Sequence, residues 1–197
     1  MKSEAIKPPQ PIPYPKSELI KTLYRIPLLL FRLGLAPLIG KNILVISTFG
    51  RRTGKVHRTP VEYYNHQGRL YGMSGFGDEP DWYKNLNTDP HVTLNTDKGF
   101  INAIARKPET NEEWGGVMAY LKHSPVSILT TPELVQKIDD PEVQEQIKTF
   151  PVVMFDPTDE TCPPALETDL LWAWPIILLL LALRILTSWL WHRRSRQ

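Results

Sequence analysis

Short apolar runs separated by turn signals constrain the fold of this chain more than any other feature. Runs rich in β-branched and aromatic residues predict strands at residues 43–48, 58–65, 69–74, 92–96 and 100–106. Turn signals lie between them, such as His66-Gln67-Gly68. Residues 152–155 fit either a last strand or an apolar tail on the core. Strands at this spacing predict an α+β fold, a small antiparallel barrel with helices packed outside.

Helical patterns flank the predicted strands. Residues 19–38 are apolar and carry interspersed basic residues, and they predict one helix or two short amphipathic helices interrupted at Pro27 and Pro37. Asp81 is expected to cap a short helix, and further helices are predicted at residues 111–123 and from residue 132. The predicted organisation is a proline-rich tail (1–18), a globular domain (19–156), a linker (157–169), an apolar helix (170–191) and a basic tail (192–197).

Composition excludes several classes of function. The formal net charge is only +2, which argues against a general nucleic-acid binder and makes any basic cluster a local feature. The single cysteine, Cys162, excludes an internal disulfide framework and a cysteine-based zinc site. The histidines are scattered along the chain, and no metal site is predicted.

A basic turn follows the first predicted strand. Residues 50–60 read GRRTGKVHRTP, and four fixed positive charges lie within eight positions: Arg51, Arg52, Lys55 and Arg58. Guanidinium and ammonium groups match phosphate or carboxylate oxygens, and glycines let backbone N–H groups approach an anion. The pattern is neither a Walker A loop nor a dinucleotide fingerprint. The turn therefore fits either an anion site, a phosphorylated cofactor above all, or a solvated hairpin loop.

A second motif follows the third predicted strand. Residues 73–86 read MSGFGDEPDWYKNL, and the small residues Ser74, Gly75 and Gly77 could expose backbone N–H groups to a flat ring or a phosphate. Trp82 fits either a ring contact or a plain core anchor. Asn85 could brace a neighbouring loop.

The last apolar segment predicts association with a membrane. Residues 170–191 contain one charge, Arg184, and tryptophans lie at both ends of the segment. About 20 predominantly apolar residues suffice to span a bilayer, and interfacial tryptophans are typical of such helices. We therefore expect a C-terminal span in the cell membrane, with a cytoplasmic globular domain because no secretory signal precedes it. The basic tail argues for the opposite topology.

The two motifs, followed by DPHVTL, resemble the deazaflavin-dependent nitroreductase and quinone reductase family. The resemblance covers about residues 23–106 and implies a flavin-reductase-like split β-barrel that binds coenzyme F420, with FMN as the second choice. It implies that phosphate and the acidic tail of the cofactor lie on the four basic residues of the turn. The ring would lie near Met73, Ser74, Gly75, Phe76 and Gly77, supported by Trp82 and Asn85.

The resemblance implies hydride transfer from the reduced deazaflavin to an electron-poor acceptor, such as a quinone or a nitro compound. Ser74, Tyr63 and Tyr71 are the candidate catalytic residues, because a hydroxyl could donate a proton or hydrogen bond to the acceptor. An anchored reductase would meet lipophilic acceptors at the bilayer. Split barrels of this type are often dimers, so a homodimer is expected.

Two other readings remain open from the sequence alone. One is a non-enzymatic, membrane-anchored module that binds a flavin, a deazaflavin or haem. The other is a peripheral module whose basic turn binds anionic lipid heads.

Overall fold

A closed barrel of six antiparallel strands forms the centre of the molecule. The computed structural model describes residues 17–194; the predicted proline-rich tail up to residue 16 and residues 195–197 of the basic tail lie outside it. Within the described part, the strand order around the barrel is β1-β2-β3-β6-β5-β4. The strands are β1 (Ile43–Phe49), β2 (Val56–His66), β3 (Arg69–Met73), β4 (His91–Thr96), β5 (Gly99–Arg106) and β6 (Val152–Pro157).

The predicted α+β barrel is confirmed, with its flanking helices. The sequence left residues 152–155 open, and they form the closing strand: Leu70 of β3 pairs with Phe155, and Ala105 of β5 pairs with the same residue from the other side. Period-two alternation directs Leu44, Ile46 and Leu94 into the barrel, where they are fully buried.

The leading segment folds into three short helices instead of one or two. They are α1 (Glu18–Leu23), α2 (Ile26–Arg32) and α3 (Ala36–Ile39). Pro27 and Pro37 lie in the first turns of α2 and α3, where a missing N–H is tolerated. Gly34 has φ +79°, a conformation that ends α2 and that residues with a side chain rarely adopt.

The remaining helices cover the outside and one end of the barrel. They are α4 (Asp81–Leu86), α5 (Asn111–His123), α6 (Pro125–Thr130), α7 (Pro132–Gln136), α8 (Pro141–Ile147) and α9 (Ala173–Arg194). From α4, Trp82 and Leu86 join the barrel interior. Val117, Leu121 and Ile147 form a second core with the outward-facing Tyr71 and Met154.

The start of α5 is fixed by charge and by a capping box. The Thr110 hydroxyl accepts from Glu113 N (3.2 Å), and the Glu113 carboxylate accepts from Thr110 N (3.2 Å) and Glu109 N (2.8 Å). Arg106 of β5 donates to the same carboxylate at 2.5 Å. Hydrogen bonds from Arg106, then from the backbone, lower the pKa of Glu113 to about 2.

Residues 158–169, which we call the strap, cross the outer face of the barrel from β5 to α2. Thr158 N donates to Asn102 O (3.0 Å), and the Asn95 amide exchanges two hydrogen bonds with the backbone of Leu166 (3.1 and 2.9 Å). The strap ends where Arg32 of α2 donates two bonds, each 2.8 Å, to the Asp169 carboxylate.

Helix α9 exposes a run of apolar side chains that is interrupted by the exposed Arg184. Ile176, Leu180 and Ile185 are 51%, 61% and 70% exposed. Over the described residues, no helix combines the length and apolarity that crossing a membrane requires. The predicted C-terminal span is therefore not confirmed, and the side chains of Trp189 and Trp191, predicted to be interfacial, lie outside the description.

Two neighbouring glycines of α5 offer a matched test of the packing between α5 and the barrel. A Cβ at Gly116 would lie 2.5 Å from the Tyr71 hydroxyl oxygen, whereas a Cβ at Gly115 would meet nothing within 4 Å. Both alanine substitutions gain about 1 kcal/mol of helix propensity. We expect Gly116→Ala to lower the free energy of unfolding by about 1–3 kcal/mol, since overpacking displaces the core.

The measurement is urea denaturation followed by circular dichroism. Gly115→Ala is the control and should be neutral or stabilising. Equal stability of the two variants would show that α5 does not pack on Tyr71 as described.

Candidate functional site

The basic turn links the end of β1 to the start of β2. Gly50 N donates to Lys55 O (2.8 Å), while Thr53 N and Gly54 N both donate to Gly50 O (3.1 and 2.7 Å). Gly54 has φ +65°, which explains the need for glycine at this position. The turn is thus a closed backbone loop that projects its basic side chains outward.

Asn85 joins the basic turn to the second motif. The side chain of Asn85 is 2% exposed; its Nδ2 donates to Thr48 Oγ1 (3.1 Å), and its Oδ1 accepts from Arg51 N (3.2 Å) and Arg51 Nη1 (3.1 Å). The predicted bracing role of Asn85 thus has a geometric basis. Asp81 has no capping bond and instead forms an ion pair with Arg51 (2.9 Å), so the expectation that it caps α4 is wrong.

Arg52 and Lys55 remain available to a ligand. Both side chains are exposed, and neither forms a hydrogen bond or an ion pair with any described residue. A small cavity of about 110 Å³ lies beside Arg52, and its lining residues are Gly50, Arg51, Arg52, Thr53, His57, Asp81 and Asn85. The turn therefore offers two free cations and a polar hollow, which suits a phosphate group.

Arg58 points away from this hollow. Its Nη2 donates to the carbonyl oxygens of Pro164 (3.3 Å) and Ala165 (3.1 Å) in the strap. The four basic residues that were predicted to form one anion site therefore have different contacts. Arg51 binds α4 and Arg58 binds the strap, whereas Arg52 and Lys55 remain free. The role of Arg58 in cofactor binding stays a prediction.

The loop after β3 is a compact turn. Ser74 N donates to Pro151 O (3.0 Å), Ser74 Oγ donates to Gly77 O (2.5 Å), and Gly77 has φ +66°. The hydroxyl of Ser74, a candidate catalytic group, is thus engaged within its own loop. Phe76 contacts Tyr24 at the end of α1 in an edge-to-face arrangement, with ring centroids 5.6 Å apart.

Trp82 and Met73 contribute to packing. Trp82 is 6% exposed and lies in the barrel core, edge to face with Tyr83 at 5.7 Å. Met73 packs against the second core. Burial raises the pKa of Tyr83. Trp82 thus packs as a core anchor, and its contact with a cofactor ring stays a prediction.

The two candidate tyrosines lie apart from the basic turn. Tyr63 OH donates to Gly40 O (2.6 Å), which precedes β1, whereas the turn follows β1 at the other end of the strand. Tyr71 is buried beneath Gly116 of α5. Burial raises the pKa of both tyrosines, so both phenols stay neutral. Their catalytic roles are untested.

Sequence reasoning missed three contributors to this region. Thr48 holds Asn85, Tyr24 contacts Phe76, and the strap engages Arg58 through backbone carbonyls. Thr48 lies two residues before Gly50, and its hydroxyl at the end of β1 could have been predicted to bind a neighbouring polar side chain. Backbone acceptors leave no signature in side-chain chemistry, so the strap contact had no sequence signal.

A small closed antiparallel barrel, with a basic turn held to a helix and a serine-glycine loop, defines the chain as a split-barrel protein. Residues 34–131 match the model of the F420H(2)-dependent quinone reductase family. The matched residues, which contain strands β1 to β5, belong to this family. Members of the family are oxidoreductases. The family resemblance, the predicted enzyme class and coenzyme F420 as the cofactor are therefore confirmed.

Solved structures with a related fold are distant. An F420-H2 dependent reductase (FDR-A) is 21% identical, with 59% of this chain and 95% of that chain covered and a TM-score of 0.38. A putative pyridoxamine 5'-phosphate oxidase from Listeria innocua is 17% identical over 64% and 90%, with a TM-score of 0.41. A heme binding protein from Mycobacterium smegmatis is 15% identical over 61% and 48%, with a TM-score of 0.39. The family assignment rests on the family model alone.

Asn85→Ala tests the link between the turn and α4. The variant leaves Thr48 and the Arg51 N–H without their partner, and we expect a loss of about 1–3 kcal/mol in unfolding free energy, together with weaker F420 binding. Urea denaturation and fluorescence titration with F420 measure the two effects. Asn87→Ala, at the exposed end of α4, is the control. If the Asn85 and Asn87 variants behave alike, Asn85 has no bracing role.

Proposed function

We propose that this protein transfers a hydride from reduced coenzyme F420 to a lipophilic acceptor, a quinone in the first place and a nitro compound in the second, at a membrane surface. The observation that carries the proposal is the contact of Tyr24 with Phe76. It connects the apolar leading helices directly to the loop that is expected to face the cofactor ring.

The residues of the basic turn fit the phosphate of F420. Arg52 and Lys55 are free to bind it, and Asn85 and Asp81 hold Arg51 in place so that the turn is preorganised. When bound, F420 supplies the hydride chemistry. The chain orients the cofactor and keeps the end of the barrel dry, because Trp82 and Leu86 of α4 are buried there.

An acceptor from the bilayer suits the apolar surface of the molecule. Leu19, Leu23 and Tyr24 of the leading segment are 71%, 53% and 52% exposed. Helix α9 adds exposed leucines and isoleucines between Ile176 and Ile185, and a contiguous exposed apolar surface of this kind favours contact with protein or lipid. We propose that both elements contact the cell membrane, with the barrel in the cytoplasm, and that the protein forms a homodimer.

The free cations of the turn give a direct test of the cofactor site. We expect the double substitution Arg52→Ala and Lys55→Ala to weaken F420 binding at least tenfold, since each charge-assisted contact is worth about 1.5–3 kcal/mol. Fluorescence titration with F420 measures the affinity. Lys137→Ala, an exposed lysine outside the turn, should leave it unchanged. Unchanged affinity in the double variant would remove the turn from the cofactor site.

The acceptor class is tested with two quinones that differ only in their tail. We expect F420H2 oxidation with both menadione and vesicle-embedded menaquinone. Because Leu23 and Tyr24 form the expected approach from the bilayer, Leu23→Ser with Tyr24→Ser should slow the menaquinone reaction several-fold and spare the menadione reaction.

Phe100→Ser serves as the control, because Phe100 is 63% exposed on β5, outside the leading helices. Absorbance of the deazaflavin follows turnover. Turnover of a nitro compound with no turnover of either quinone would exclude the quinone assignment.

A further inference from the structure

A second, larger cavity lies between α2 and the strap. Its volume is about 520 Å³, and it is lined by Leu28, Arg32, Arg58, Leu166, Glu167 and Asp169. The cavity lies where the two apolar elements of the molecule meet. Leu170 N donates to Arg32 O (3.1 Å), and Trp174 Nε1 donates to Leu33 O (2.9 Å), which ties the base of α9 to the end of α2.

One buried donor at this cavity lacks an acceptor. Arg58 lines the cavity and uses Nη2 for the strap carbonyls, but its buried Nε–H has no hydrogen-bond partner in the described part of the chain. A buried, charged donor without a partner is costly. A ligand that brings an anionic oxygen to Arg58 would remove this cost.

The charges of the cavity are balanced. Arg32 and Asp169 satisfy each other through two 2.8 Å hydrogen bonds, and Arg32 lowers the pKa of Asp169. Arg58, whose Nη2 is bound to strap carbonyls, has no carboxylate partner among the described residues, and Glu167 is exposed and forms no ion pair with them. One charge of each sign favours a zwitterion over a simple anion.

The surroundings of the cavity favour a lipid. Leu28 and Leu166 line it, and Leu29, Leu171 and Trp172, which are close in sequence to lining residues, are 47%, 54% and 65% exposed. Acyl chains could lie along these residues towards α9, while a headgroup occupies the polar interior.

We propose that the cavity between α2 and the strap binds the headgroup of a zwitterionic phospholipid, phosphoethanolamine, with the phosphate on Arg58 and the ammonium on Glu167. An ammonium N–H donates to a carboxylate, whereas the trimethylated nitrogen of phosphocholine has no N–H to donate. The site therefore distinguishes two lipids of equal net charge. The inference rests on the membrane contact in the proposed function, and it assigns the lipid that the contact selects.

The test is calorimetric titration of the full chain in maltoside detergent with three short-chain lipids. Dihexanoyl phosphatidylethanolamine should bind about tenfold more tightly than the phosphatidylcholine analogue, the factor expected for one charge-assisted hydrogen bond. Glu167→Gln should abolish this difference, and Glu133→Gln, at an exposed carboxylate of α7, should preserve it. Arg58→Lys keeps the charge but lacks Nε–H, and should weaken both zwitterionic lipids.

Three results would overturn the proposal. Equal affinities for the two zwitterionic lipids would exclude recognition of the ammonium. Tightest binding of dihexanoyl phosphatidylglycerol would identify a simple anion site. Displacement of the lipid by F420 would assign the cavity to the acidic tail of the cofactor.

Menadione reduction by F420H2, measured on the same protein, separates this proposal from the proposed function. Lipid selectivity without quinone turnover would refute only the proposed reaction. The opposite result would be menadione turnover that Glu167→Gln does not change, together with equal binding of the lipids. That result would refute only the headgroup site.

Discussion

Pairing of β6 with both β3 and β5 is the constraint on which the rest of the structure depends. Without β6 the sheet would have two free edges, and unpaired edges invite aggregation. The same strand carries Phe155 into the barrel interior and Met154 into the second core. The second core, into which α5, α7 and α8 pack, is therefore complete only when β6 is in place.

The candidate site depends on α4, because this helix contacts both the barrel interior and the basic turn. One face of this short helix closes an end of the barrel with Trp82 and Leu86, and Asn85 reaches the end of β1. Strands β2 and β3 separate the basic turn from the serine-glycine loop, and α4, which follows the loop in sequence, binds the turn through Asp81 and Asn85. A site built on a buried helix holds its geometry better than one built on two free loops.

The sequence predicted the barrel better than it predicted the contacts of single residues. Alternation of apolar residues placed the strands correctly, because the side-chain period of a strand follows from backbone geometry. The sequence could not show which of the four basic residues of the turn bind a ligand and which bind the protein itself. Whether Arg51 and Arg58 bind a ligand or the protein depends on Asp81, Asn85 and two carbonyls of the strap, which lie between 30 and 107 positions away. Likewise, no local pattern shows that Tyr63 reaches Gly40.

The late position of β6 has a consequence for how the chain folds. Leu70 of β3 pairs with Phe155 of β6, and the chain between them has to fold or form a loop before this pairing can occur. Loop closure over such a separation costs entropy before any contact compensates it, so barrels with non-local pairings fold slowly. A ribosome-bound chain that ends before β6 would expose two sheet edges, which makes an unfinished barrel a substrate for chaperones.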